Sequence, residues 1–285
     1  MGDKASVKRL AVNSQSLKIL DLSEYVNLES LNCSNNQLTA LDVSKCVNLK
    51  WLYCGNNQLT SLDVSKCVNL TVLDCYENQL TELDVSKCVN LKELYCNDNL
   101  LSGLDVSNCV NLKGLDCDGN QLTALDVSKC VNLEELDCNG NQLKELDVSK
   151  CVNLEGLSCH DNQLTELGVS KCVNVEVLDC GGNDICKLDI RGLKKLRHVS
   201  IRESPFLAEL LSDEEQKTEI QLQKEGKWMR IEEAQTMLES GKAVQRRAVK
   251  RVQWWTTEAR YRPGGGGYMN SLVSFEERIK TGFKQ

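Results

Sequence analysis

The chain has 285 residues, a formal net charge of −7, 16 cysteines, 2 prolines and an aromatic content of 5%. A chain of this length can bury a large core without disulfide cross-links. Its acidic balance argues against nucleic acid as a partner of the whole chain. No apolar run approaches the ~18 residues of a transmembrane helix, which argues against insertion into a membrane.

The first residues, Met1 to Lys8, lack the apolar core of a secretory signal peptide. We therefore expect a cytoplasmic protein. In that reducing compartment the cysteines should be free thiols.

A strictly periodic repeat begins at Val7 and runs to about Ile201 without an insertion. Its consensus is L-x-x-L-x-C-x-x-N-Q-L-T-x-L-D-V-S-K-C-V-N. The first leucine column reads Leu28, Leu49, Leu70, Leu91, Leu112, Leu133, Leu154 and Val175. This register predicts about nine coils and a terminal half-coil.

Within each coil, the second leucine and the first cysteine alternate with polar residues, which predicts a short strand with one buried face. Strands stacked in register should form a parallel sheet. The asparagine that follows should hydrogen-bond the turning backbone. The segment L-T-x-L-D-V-S alternates again, and a 21-residue coil leaves no room for a full helix on that side. Extended or 3-10 structure is therefore expected there.

The motif L-x-x-L-x-C-x-x-N-x-L resembles the leucine-rich-repeat hallmark, and the following L-x-x-L-D-V is similar to the short 21-residue bacterial class called IRREKO repeats. The resemblance covers about two thirds of the chain. It implies an α/β-type repeat solenoid with a parallel sheet on the concave face and a role in recognition. It does not identify the ligand.

Fifteen of the cysteines fall in two columns, one from Cys33 to Cys180 and one from Cys46 to Cys172, and Cys186 lies outside both. A disulfide ladder, a metal chain and a redox sensor are functional alternatives. We favour buried thiols that act as small apolar side chains, because the architecture sets their positions. Parallel side chains would bridge poorly, and no metal site or cofactor is expected.

Differences between the coils concentrate at the outward strand positions and the two residues after the cysteine. Aromatic residues cluster towards the N-terminal half, and carboxylates dominate the centre. Exposed aromatics beside charge are typical of binding hot spots; the alternative is drift of solvated positions. The predicted partner-binding residues are Trp51, Tyr53, Asp74, Tyr76, Glu93, Tyr95, Asp116, Asp118, Glu135 and Asp137. An acidic face predicts a basic partner.

From about Glu203 the repeat stops, and we divide the chain into a solenoid (1–201), a helical cap or extension (202–262) and a Gly-rich linker with a terminal helix (263–285). A capping box at Ser212 predicts a helix to near Gly226, and a second helix fits from Met229 to Ser240. A third, amphipathic helix would be basic. Its marked residues are Arg246, Arg247, Lys250, Arg251, Trp254 and Trp255.

The basic stretch 242–262 is first interpreted as a solvated helix face. The alternatives are binding of nucleic acid, of an anionic membrane surface or of a partner, and docking onto the acidic solenoid face of this chain or of a neighbour. The chain has no cysteine after Cys186, no histidine after His198 and no phosphate-binding glycine motif. We therefore assign no catalytic residue.

The function predicted from the sequence is a protein-interaction module that binds a basic partner through the variable sheet. One alternative is a structural subunit or scaffold that self-associates through an uncapped N-terminal coil, where Val7, Leu10 and Val12 begin the core. Another is an effector or toxin with an unrecognised C-terminal enzymatic domain.

Overall fold

The computed structural model describes residues 3–204, 207, 209–213, 221–224, 227–230, 235–236 and 238. Its first element is a 3-10 helix, Lys4–Ser6, in which the Asp3 carboxylate accepts a hydrogen bond from the Ala5 N–H. The chain then turns back after each of a series of short strands, and this return generates the coils of a solenoid.

Ten short strands that recur with the period of the sequence form one parallel sheet in register, as the repeat predicts. They are β1 (Arg9–Ala11), β2 (Ser30–Asn32), β3 (Trp51–Tyr53), β4 (Val72–Asp74), β5 (Glu93–Tyr95), β6 (Gly114–Asp116), β7 (Glu135–Asp137), β8 (Gly156–Ser158), β9 (Val177–Asp179) and β11 (His198–Ser200). The strand β10 (Lys187–Asp189) lies in a second, two-stranded sheet. The predicted fold class is confirmed.

The interior of the solenoid is filled by the periodic leucines, valines and cysteines. Fifteen cysteines are buried free thiols and only Cys186 is exposed. Burial raises the pKa of the Cys67 thiol to about 12 and that of Cys109 to about 11, so both stay protonated. The interpretation of these columns as small buried side chains is confirmed.

An asparagine ladder joins consecutive coils, and it consists of Asn36, Asn57, Asn78, Asn99, Asn120, Asn141, Asn162 and Asn183. In a representative coil, the Asn120 amide donates to the carbonyls of Cys117 and Asp118 and to that of Cys96 in the preceding coil. Its Oδ1 accepts from the Leu101 N–H at 2.9 Å. Each asparagine therefore satisfies backbone groups that the turn would leave unpaired.

The wall opposite the sheet is made of turns and extended segments, and none of the described residues between 12 and 204 is helical. In every coil but the one with Gly168 an aspartate opens a turn. In a representative coil, the Asp63 Oδ1 accepts from the Ser65 N–H at 2.9 Å. Hydrogen bonds from Ser65 lower the pKa of the Asp63 carboxyl. The near-constant Leu-Asp-Val-Ser sequence thus serves a local turn.

The coil continues beyond the end of the sequence repeat. Strand β12 (Glu209–Leu211) pairs with β10, and β13 (Gln221–Lys224) extends the main sheet by pairing with β11. Strand β14 (Lys227–Arg230) then pairs antiparallel with β13 and ends the sheet. The predicted helix from Ser212 to Gly226 is wrong at 221–224, because sheet pairing to β11 outweighs the local capping signal.

Gln235, Thr236 and Leu238 are helical, in agreement with the second predicted helix, although β14 occupies the start expected at Met229. The predicted basic helix and the linker with its terminal helix lie outside the described residues. Among the residues that are described, no helix is long and apolar enough to span a membrane.

Candidate functional site: the strand face

The strand face is the outward surface of the main sheet, formed by the first and third residue of each strand and the residue after each strand cysteine. These positions vary between coils while the interior does not. All ten predicted binding residues lie on this face, but the structure divides them by depth. Seven are half-buried: Trp51, Tyr53, Asp74, Glu93, Tyr95, Asp118 and Glu135.

Strands β3, β4 and β5 carry the aromatic part of the strand face. Tyr53 pairs with Asp74, and Asp74 pairs with Tyr95, so one carboxylate lies between two tyrosines on neighbouring strands. The Tyr95 hydroxyl donates to the Glu93 carboxylate at 3.3 Å. The aromatic and acidic residues that the sequence analysis singled out thus lie on neighbouring strands.

Tyr76 was expected to be exposed, and this is wrong, since only 3% of the residue contacts solvent. Its ring occupies the space that a Cβ at Gly55 would fill. The missing side chain of Gly55 therefore lets Tyr76 lie flat on the preceding coil. Tyr76 forms part of the floor of the strand face.

Two glutamates lie across the sheet in the same way. The Glu93 carboxylate occupies the Cβ position of Gly114, and the Glu135 carboxylate occupies that of Gly156, each on the following coil. Because both side chains fold over glycines, they form a rim above the central strands. The glycines in these variable columns could have indicated from the sequence that a side chain of the neighbouring coil lies over them.

The central carboxylates are recessed, which corrects the expectation of a solvated acidic surface. Asp116 is fully buried and Asp137 is 8% exposed. Burial, together with the neighbouring Asp116 and Asp118, raises the pKa of the Asp137 carboxyl far above its usual range. Their small neighbours and the glutamate rim exclude water, so the centre carries less negative charge at neutral pH than its composition indicates.

Cationic groups balance acids in the C-terminal half of the face. Burial lowers the pKa of His160, but its hydrogen bond to Asp161 and the charges of Asp179 and Asp137 outweigh this and raise it to about 9. Arg202 Nη2 lies 3.1 Å from the Oδ2 of Asp179, a side chain that is 1% exposed. The acids at this end of the face are therefore partly neutralised.

Asp118 lies between these two halves. Its pKa is raised to about 6 by burial and by the nearby Asp98 charge. The nearby charge of His160 lowers the pKa of Asp118. On balance the group therefore ionises at a higher pH than an ordinary aspartate.

The second residue after each cysteine has a structural role that the sequence comparison missed. Asn35, Asn56, Glu77, Asp98 and Asp161 have positive φ angles between 44° and 58° at this position. Glycines occupy it in the remaining coils, at Gly119, Gly140 and Gly182. The left-handed backbone favours Asn, Asp and Gly. The acidic residues in this column are therefore explained by the conformation of the turn, and we do not assign them to ligand binding.

The predicted basic residues from Arg246 to Trp255 lie outside the described residues. Within the described part of the chain, no three His, Cys, Asp or Glu side chains converge in a way that could hold a metal ion.

The family model for leucine-rich repeats matches five overlapping pairs of coils, together spanning residues 26–151. The coils of this chain have the strand, asparagine turn and buried leucines described above. The chain belongs to the leucine-rich-repeat proteins. The match ends before the last coils, where the consensus weakens.

Solved leucine-rich-repeat structures are similar over most of the solenoid. The functional domain of InlJ from Listeria monocytogenes, whose description includes a cysteine ladder, is 35% identical with a TM-score of 0.69. The match covers 73% of this chain and 49% of that one, so this chain spans about half its length. A Leptospira interrogans leucine-rich-repeat protein is 25% identical with a TM-score of 0.56, over 70% of this chain and 63% of that one.

A third similar structure is the leucine-rich-repeat ectodomain of the plant membrane receptor kinase GASSHO1/SCHENGEN3 from Arabidopsis thaliana, in complex with CASPARIAN STRIP INTEGRITY FACTOR 2. It is 26% identical with a TM-score of 0.59, and the match covers 64% of this chain and 25% of that one. Comparison with curated proteins gives no significant match. Leucine-rich-repeat proteins are generally non-enzymatic binding scaffolds.

Proposed function

We propose that this leucine-rich-repeat protein is an interaction module whose strand face binds a protein partner with a basic surface. The observation that carries the proposal is the concentration of variation on this face. Coils that share nearly the same interior differ where Trp51, Tyr53, Tyr95 and Glu93 lie, and they differ less on the opposite wall. Aromatic side chains beside carboxylates supply both contact area and attraction for cationic groups.

The charge distribution supports a basic partner. The half-buried acids Asp74, Glu93 and Asp118 lie on or near the aromatic strands, and the cationic groups Arg202 and His160 lie at the far end. An approaching basic surface is attracted to the β4–β5 region, and such attraction weakens with added salt. Ligand binding by the similar plant ectodomain is compatible with this role.

The test compares capture of partners by the full chain and by matched variants. Glu93→Lys with Tyr53→Ser alters the strand face, and Lys66→Glu alters an exposed position on the opposite wall. The face variant should lose the captured protein and the wall variant should retain it, with binding reduced by raising salt from about 0.05 M to about 0.5 M. Equal loss with the wall variant, or retention by the face variant, contradicts the proposal.

A reducing compartment is proposed with this function. Fifteen buried thiols without a disulfide are compatible with such an environment. Location by microscopy of the tagged full chain tests it, and recovery in an oxidising compartment would contradict it.

The N-terminal coil supports a second candidate, self-association. Leu10, Val12 and Leu17 are only partly buried, and Ile19 is 83% exposed. Strand β1 forms one end of the main sheet, and its free edge and these apolar side chains fit a second copy of the chain. Sedimentation should then show a dimer that Ile19→Lys dissociates; a monomer at high protein concentration would exclude this candidate.

A further inference from the structure

One carboxylate on the strand face is held between aromatic side chains. Asp74 is the third residue of β4, and in-register pairing places Tyr53 of β3 on one side and Tyr95 of β5 on the other. Neighbouring strands in a sheet are about 4.8 Å apart. The three side chains therefore emerge side by side from the sheet, and we call them the Asp74 recess.

The Asp74 carboxyl has an unmet hydrogen-bonding need. Its Oδ1 is buried and has no hydrogen-bond partner among the described residues. The residue as a whole remains half-buried, so part of it is reachable from the strand face. A buried oxygen without a partner is costly, so its presence calls for an explanation, and a group that approaches from outside the chain is one.

The groups around Asp74 supply no positive charge. Tyr53 and Tyr95 face it from the flanking strands, and the buried thiols of Cys54 and Cys75 lie beneath. Burial raises the pKa of the Asp74 carboxyl to about 7, and the backbone N–H of Tyr76, which approaches the carboxyl without forming a well-aligned hydrogen bond to Oδ1, opposes this only in part. A cation brought to this carboxyl from the strand face would favour its ionised form.

The walls of the recess are suited to a flat cation. The Tyr95 hydroxyl is held by Glu93, which is itself laid over Gly114, so this wall has a fixed partner. Guanidinium stacks against aromatic rings, is more weakly hydrated than ammonium and matches a carboxylate with paired donors. These properties favour arginine over lysine at a site that is partly screened from water.

We propose that the Asp74 recess receives one arginine side chain of the partner, with the guanidinium paired to Asp74 between Tyr53 and Tyr95. This inference rests on the proposed function, and it specifies where on the strand face the basic partner is recognised. Binding moves Asp74 to its ionised form and releases a proton. The affinity for the arginine should therefore rise as the pH increases from 6 to 8.

The test uses the full chain and the peptide acetyl-Gly-Arg-Gly-amide, followed by NMR of aspartate carboxyl carbons and tyrosine rings. Matched peptides replace arginine by uncharged citrulline or by lysine. We expect saturable shifts at Asp74, Tyr53 and Tyr95 with arginine, weaker binding of lysine and no binding of citrulline. Citrulline binding equal to that of arginine overturns the proposal.

Two variants identify the recess. Asp74→Asn should weaken arginine-peptide binding at least about tenfold, whereas Asp184→Asn, which removes an exposed charge elsewhere, should change it by less than about twofold. Tyr53→Leu keeps the carboxylate and removes one wall, and it should also weaken binding. Unchanged binding in both Asp74→Asn and Tyr53→Leu excludes the recess.

The experiments distinguish a failure of the Asp74 recess from a failure of the proposed function. If Glu93→Lys with Tyr53→Ser abolishes partner binding while Asp74→Asn leaves both partner and arginine-peptide affinity unchanged, the strand face is the receptor and the recess is wrong. If the face variant retains the partner, the proposed function fails whatever the peptide does.

Discussion

The ring of Tyr76 lies on the backbone of Gly55 in the preceding coil, at the place where any other residue would carry its Cβ. Two residues at equivalent positions of consecutive coils are thereby complementary across the boundary between them. The same arrangement relates Glu93 to Gly114. Tyr76 and Glu93 can lie across the sheet only because the residue beneath each of them, in an adjacent coil, is a glycine.

This complementarity predicts the effect of Gly55→Ala. The new methyl group would collide with the Tyr76 ring and would lie 2.8 Å from Asp74 Oδ1, so both side chains must move. We expect destabilisation by about 1–3 kcal/mol and a fall in the Asp74 pKa as water enters. Urea unfolding and carboxyl NMR measure the two effects.

Gly103→Ala is the matched control, because nothing lies within 4 Å of its ideal Cβ. It should leave stability unchanged or slightly raised. Equal effects of the two substitutions would contradict a role for the Tyr76 contact.

The raised pKa of Asp74 predicts how stability depends on pH. The folded chain keeps this proton up to about pH 7, whereas an unfolded aspartate loses it near pH 4. The folded state therefore binds more protons between these values, and its stability falls as the pH rises through them. Asp74→Asn should remove this loss, which is at most roughly 4 kcal/mol.

Urea unfolding at pH 4.5, 6 and 8 tests this dependence. Asp63→Asn provides a control of opposite sign, because hydrogen bonds from Ser65 lower the Asp63 pKa. Its contribution is present above the unfolded pKa and is lost as the pH falls. A pH slope unaltered by Asp74→Asn would show that the carboxyl is hydrated in the folded protein.

The asparagine ladder predicts a large cost for removing one amide. Asn120→Ala leaves the Leu101 N–H without its partner inside the solenoid, and the carbonyls of Cys96 and Cys117 each keep only one of their two amide donors. We expect a loss of about 3 kcal/mol in the free energy of unfolding. Denaturant titration measures it, with the exposed side chain of Gln121, replaced by alanine, as the control. A similar small loss for both would argue against the ladder.

Thiol chemistry should distinguish one cysteine from the other fifteen. Cys186 is exposed, whereas the two columns are buried and their pKa values are raised, to about 11 for Cys172. A thiol reagent should modify one site rapidly in the folded chain and the rest only on unfolding. Cys186→Ser should abolish the rapid phase; several rapid sites would mean that the columns open in solution.

The periodicity was sufficient to predict strand positions, register and the buried columns, because a constant spacing leaves one way to stack the coils. It could not predict that Asp116 and Asp137 are buried. Their depth depends on side chains from other coils, such as Glu135 lying over Gly156. Such contacts are made between residues of different columns in different coils, and comparing the coils one column at a time does not reveal them.

The final coil illustrates a second limit. His198 pairs with Gln221, and Lys187 pairs with Glu209, so both partners lie further along the chain than the regular period would place them. Once the spacing departs from that period and the consensus disappears, local capping signals suggest helix. The backbone nevertheless extends the sheet, because β11 offers unpaired hydrogen-bonding groups.

The near-verbatim coils have an evolutionary consequence. Gene segments that encode almost the same coil can undergo unequal recombination, and each such exchange can insert or delete one whole coil. The asparagine ladder accepts such a change, since every coil bonds its neighbour in the same way. The interior is unaffected by the number of coils, but the outward columns gain or lose one member. Strand faces of different length can thus arise in single steps while the fold of each coil stays the same.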